Sequence, residues 1–95
     1  MQKTKTYRSV WDAIESTPAA AAQMKARSEL MHAIREAIDD WDITQARAAK
    51  RLGISQPRLN DLFRGKLGNF SLDALVKIAT NAGLSVRVRI GKAAA

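Results

Sequence analysis

Apolar residues recur at helical spacing along most of this chain and switch to strict alternation only near its end. Val10, Trp11 and Ile14 predict a short helix over residues 7–15. Thr17 and Pro18 then read as a cap and a first helical position, opening a long helix that reaches about Asp40. Its apolar stripe is Met24, Leu30, Met31, Ile34, Ala37 and Ile38, with Trp41 just beyond; Lys25, Glu29, Arg35, Glu36 and Asp39 fall mostly outside it. The alanines at 19–22 propagate that helix cheaply while burying little. Asp39, Asp40 and Asp42 gather at its C-terminal end, where the helix dipole disfavours negative charge, so a break is predicted before Trp41.

Residues 44–65 predict two short helices joined by a glycine turn. Thr44 caps the first, Ala46, Ala49 and Leu52 repeat at helical spacing, and Gly53 can take the left-handed conformation that ends a helix. Ser55 caps the second, Pro57 sits in the first turn where a missing N–H costs little, and Leu59, Leu62 and Phe63 point inward before Gly65. Helices this close in sequence must cross steeply. Ala48 and Ala49 keep the crossing small and Ile54 plugs the corner. With Leu59 as the inward direction and about 100° per residue, Pro57, Asp61 and Arg64 face outward and Arg58 and Asn60 flank them. Gln56, Arg58 and Asn60 are therefore donors and acceptors on the exposed half of a short helix, the chemistry that reads adenine or guanine in a major groove. Each alone is an ordinary solvated residue; the combination points to DNA. Asp61 faces a phosphate wall badly, and suits a cytosine amine or the steering of Arg58 or Arg64.

Beyond the pair, residues 66–69 form a loop. Ser71 caps another helix, with Asp73 in its first turn, filled by Leu72, Leu75, Val76, Ile78, Ala79 and Ala82 and ended by Gly83. Residues 84–90 alternate as a strand, with Leu84, Val86, Val88 and Ile90 on one face and Ser85, Arg87 and Arg89 on the other. A lone strand leaves its ladder unpaired. Its partner is either the same strand of a second copy, giving a two-fold dimer, or residues 3–7 of its own chain.

At 95 residues and 46% hydrophobic, the chain supports one small core and no enclosed active site of any size. Its net charge of +7 is uneven: residues 1–42 hold six Lys/Arg against seven Asp/Glu, and residues 43–95 ten against two. The basic half is the half with the paired helices, an asymmetry that favours a phosphate backbone as partner. No apolar run of membrane-spanning length or leader-type segment is found, and there is no cysteine, so a cytoplasmic protein is expected. Enzyme chemistry fails on inventory. His32 is the sole histidine, adjacent Asp39 and Asp40 diverge by about 100° on a helix, and Gly65-Lys66-Leu67-Gly68 lacks the strand that precedes a phosphate loop. No catalytic residue, metal site or small-molecule cofactor is expected.

The pattern of Thr44-Gln45, small residue, Leu52-Gly53, Ser55-Gln56, Leu59, Leu62 and Gly65 resembles the Cro/cI-type (XRE) helix-turn-helix family. Gly65-Lys66, Phe70-Ser71-Leu72 and the closing Gly83-Leu84-Ser85-Val86-Arg87-Val88 resemble its HigA-type antitoxin branch. The resemblance spans about residues 7–90. It implies a mainly α, lambda-repressor-like bundle of about five helices with a C-terminal β-strand that pairs across a dimer. Residues 1–16 would be an arm with a short helix, 17–90 the DNA-binding domain with its dimerisation strand at 84–90, and 91–95 a loose tail. The resemblance further implies that Gln45 holds a DNA phosphate and that Gln56, Pro57 and Arg58 meet bases, Pro57 by van der Waals contact only. Combined with the wheel, the base-reading set is Gln56, Pro57, Arg58, Asn60 and Asp61. The phosphate set is Thr44, Gln45, Ser55, Arg64 and Lys66, and the dimerisation set Leu84, Val86, Val88 and Ile90. The implied function is a repressor of transcription that binds double-stranded DNA as a homodimer. The alternative is an antitoxin that neutralises a cognate ribonuclease toxin and represses its own operon, with the toxin contact at residues 7–14 or at the acidic end of the long helix.

Overall fold

The computed structural model describes residues 17–92. The helix expected over residues 7–15, the intrachain partner at residues 3–7 and the last three residues of the tail lie outside the described residues. Four α-helices follow in order: α1, Pro18–Asp39; α2, Gln45–Leu52; α3, Gln56–Phe63; and α4, Leu72–Asn81, with a 3-10 turn at Leu67–Asn69 between the last two.

Each helix begins where a hydroxyl can satisfy a free N–H of its first turn. Thr17 accepts from the Ala20 amide at 3.1 Å, Thr44 from Arg47 at 3.2 Å, Ser55 from Arg58 at 3.2 Å and Ser71 from Ala74 at 3.1 Å. The break after α1 falls where the acidic cluster predicts it: Asp40 is the C-cap, and Asp42 turns the chain with a positive φ of 51°. Such a φ is uncommon outside glycine, and aspartate is among the residues that tolerate it best.

The core is one cluster. Ile34 of α1, Leu52 of α2, Leu59 and Leu62 of α3, Phe70 just before α4 and Leu75 within it are its largest fully buried side chains. α1 lies along α4, and α2 crosses α3 with Ala48 and Ala49 buried. Leu30, Ala37, Trp41, Ile54 and Phe63 are only half-buried at its margin. Ala46 departs from the expected stripe and is exposed, because it lies about 120° around the helix from Leu52, whereas Ala48 lies about 40° away and takes the inward place.

Gly53 closes α2 with φ +74°; its N–H reaches the Lys50 carbonyl at 3.1 Å, and the Ile54 N–H reaches the Ala49 carbonyl at 3.0 Å. That paired closure needs a left-handed residue. Asn81, at the end of α4, donates its side-chain amide to the Leu52 carbonyl at 3.0 Å and so ties the turn to the far end of the bundle. A methyl at Gly53 would lie 3.4 Å from that same amide nitrogen. Gly53→Ala is expected to cost about 1–2 kcal/mol, chiefly as left-handed strain. Urea unfolding checks this as a lower midpoint with an unchanged slope.

Residues 84–90, expected as a strand, form none in the single chain, and no strand occurs among the described residues; of the about five helices expected, the described residues hold four, the expected helix at 7–15 lying outside them. The physical reason is the one that makes the alternation notable: a ladder needs a second strand, and the described chain offers none. The Leu84 N–H instead extends the closure of α4 by bonding the Ala79 carbonyl at 3.0 Å. Leu84 and Val86 pack against the core margin, while Val88 and Ile90 stand 80% and 87% exposed.

Candidate nucleic-acid interface

α3 is short and strongly two-sided. Leu59 and Leu62 are wholly buried, and Gln56, Pro57, Asn60 and Arg64 are exposed around the rest of its surface. The cap by Ser55 fixes the first turn, and Pro57 falls in it without losing a needed hydrogen bond. α2 is divided the same way: Ala48, Ala49 and Leu52 face in, and Arg47, Lys50 and Arg51 are exposed. Gln45 is exposed at the first helical position of α2, directly after its cap Thr44. The hydroxyl oxygens of Thr44 and Ser55 are engaged as acceptors, which leaves the O–H of each free to donate. The two short helices and the residues just after them thus carry five exposed cations, Arg47, Lys50, Arg51, Arg64 and Lys66, with Arg58 half-buried.

Residues 10–91 match a family model described as a helix-turn-helix domain. A solved chain provisionally designated an XRE family transcriptional regulator is 33% identical, with a TM-score of 0.70 over 77% of this chain and 82% of its own length. The chain belongs to the XRE-type helix-turn-helix family. No curated protein sequence matches it. In this XRE-type unit α2 is the first motif helix and α3 the second, so the residues singled out for base reading sit on the motif's second helix.

Not all of them stand free. Arg58 is half-buried: its guanidinium carbon lies 4.4 Å from the Phe70 ring centroid, and its Nη1 donates to the Asn69 carbonyl at 3.3 Å. Asp61, one turn on, accepts from the Asn69 side-chain amide at 3.2 Å and pairs with the Lys66 ammonium at 3.8 Å. It touches neither Arg58 nor Arg64 among the hydrogen bonds and ion pairs of the described residues, contrary to the steering role expected for it.

Two contacts near these helices escaped sequence reasoning. Arg27 reaches from α1 to the carbonyls of Leu67 at 3.4 Å and Phe70 at 3.3 Å, contacts some forty residues apart in sequence with no local signature. Arg51 stacks its guanidinium 3.9 Å from the Trp41 ring centroid, fixing one cation of α2 in place. Arg47 and Lys50, not singled out from the sequence, are exposed on the polar side of α2, and the basic last turn of that helix, Lys50 and Arg51, suits its dipole.

Elsewhere the chemistry is sparse. His32 is exposed and pairs with Glu36 at 3.3 Å across one helical turn. Among the described residues no group of His, Cys, Asp and Glu is arranged to hold a metal, and no helix is long and apolar enough to cross a membrane.

Proposed function

We propose that this chain is a sequence-specific DNA-binding repressor of transcription, acting as a homodimer in the cytoplasm. The observation that carries the reading is the division of α3: two leucines fully buried on one side, and Gln56, Pro57 and Asn60 exposed on the other. That is the form of a helix that enters a major groove. Gln56 and Asn60 offer amides to purine edges, and Pro57 packs against a thymine methyl. Gln45, Thr44, Ser55, Arg64 and Lys66 hold the flanking phosphates, with the open N–H groups of the first turn of α2 contributing.

The dimer is supported by the C-terminal segment. Leu84, Val86, Val88 and Ile90 alternate with polar residues in the sequence, and the first three line a groove of about 610 Å³ with Ala26, Leu30 and Ala33 of α1 and Val76 of α4. A strand pair across a two-fold axis satisfies the ladder and covers this apolar strip in one step. The antitoxin reading adds a ribonuclease partner to the same DNA-binding dimer. Asp39 and Asp40, one of its two candidate contacts, are exposed at the end of α1, and residues 7–14, the other, lie outside the described residues.

Selection of bound sites from a random duplex pool gives the operator, and Gln56→Ala then tests the groove assignment. The expected result is a loss of about 1–3 kcal/mol on the selected duplex, confined to the base pair opposite residue 56, with binding to random duplex unchanged. Equal losses on both duplexes would remove Gln56 from the reading set.

A further inference from the structure

We infer that Arg58 and Asp61 are positioning residues, which brace the turn after α3 so that Lys66 meets the DNA backbone; the inference rests on the DNA-binding reading. Arg58 and Asp61 are three apart on α3 and so lie on one helical face, and both reach the same target. Arg58 holds that turn by the Asn69 carbonyl and the Phe70 ring, and Asp61 holds it by the Asn69 side chain. The Lys66 N–H also bonds the Asp61 carbonyl at 3.0 Å, so backbone and side chain of Asp61 both fix residue 66.

From the other side, Arg27 of α1 takes the carbonyls of Leu67 and Phe70. Two guanidinium groups thus capture three carbonyl oxygens of a five-residue turn, leaving its negative ends turned toward protein cations. This matters for a phosphate partner. With three of the turn's carbonyls engaged by guanidinium groups, the Asp61 carboxylate is the acidic partner that Lys66 exchanges for a phosphate, and a rigid loop orders no backbone on binding. Phe70, fully buried, anchors the whole arrangement in the core.

The alternative role for Arg58, direct contact with guanine, requires its guanidinium to leave the Phe70 ring and the Asn69 carbonyl on binding. The two roles differ in measurable ways. In the free protein, Arg58→Ala is expected to speed amide hydrogen exchange at Asn69 and Phe70, whose N–H groups close the turn onto Lys66 and Leu67. In titrations across a salt series, Arg58→Ala and Lys66→Ala should each weaken selected and random duplexes by the same factor and flatten the log K against log salt line by about 0.9, one phosphate contact. The double variant should be no flatter than either single. Arg58→Lys, which keeps a cation over the ring, should recover part of the exchange protection.

A loss on the selected duplex alone would make Arg58 a base reader and overturn the brace. So would additive flattening in the double variant, which would give Arg58 a phosphate of its own. So would unchanged exchange at Asn69 and Phe70. A wild-type chain that binds neither duplex overturns the DNA reading itself, with the exchange result still reporting whether Arg58 orders the turn.

Discussion

Phe70→Ala is expected to cost about 3–5 kcal/mol, the range for deleting a fully buried phenylalanine. Phe70 is only 1% exposed and is the largest of the fully buried side chains among the described residues. It follows the 3-10 turn and precedes the Ser71 cap of α4, so its removal opens a cavity where the turn and the start of α4 meet the core. Small domains have stabilities of roughly 5–15 kcal/mol, so the loss approaches the whole of it at the lower end. Phe70→Leu refills most of the volume and is expected to be much milder. Urea unfolding followed by circular dichroism compares the two. A cost near 1 kcal/mol for the alanine variant would mean that the turn collapses into the cavity and that the anchor is dispensable. The same substitution removes the ring beneath Arg58, so DNA binding should weaken even at temperatures where the variant remains folded.

Where sequence and structure agree, the physics is local. All four N-caps, the glycine that ends α2, the proline in the first turn of α3 and the break among Asp39, Asp40 and Asp42 depend on neighbours within four or five residues. Helical periodicity likewise separated the buried from the exposed side of α3. What escaped is long-range. Arg27 reads as one more surface cation on α1 until the turn at Leu67–Asn69 is folded against it. Asn81 reads as a polar helix end until α2 brings the Leu52 carbonyl to it. Arg58 is the sharpest case. The helical wheel gives its direction correctly as flanking, but a flexible side chain of that length can reach solvent or a ring twelve residues away, and only the position of Phe70 decides between them. The C-terminal strand fails for a different reason: alternation reports a face that wants covering, and the described residues do not contain the cover.

That missing cover sets the second large effect. If the proposed homodimer forms through this segment, Val88→Asp combined with Ile90→Asp is expected to abolish it while leaving the stability of the isolated fold within about 0.5 kcal/mol, the usual range for surface changes. The two residues are 80% and 87% exposed in the single chain, so neither contributes to its core. Burying each against a second copy recovers about 1.5–3 kcal/mol per side chain, and the recovery counts twice across a two-fold axis. A charged pair at the same positions faces its own copy and repels. The DNA consequence is larger than the contact energy suggests. Joined units bind the second half-site as an intramolecular step, so separating them is expected to lower affinity for a duplex with two half-sites about 34 Å apart by a factor of 10²–10⁴. Affinity for a duplex with one half-site should not change. Sedimentation velocity together with titrations on the two duplexes separates the possibilities, since the exposed apolar strip accounts for dimerisation only if the double variant sediments as a monomer and the two-site advantage disappears with it.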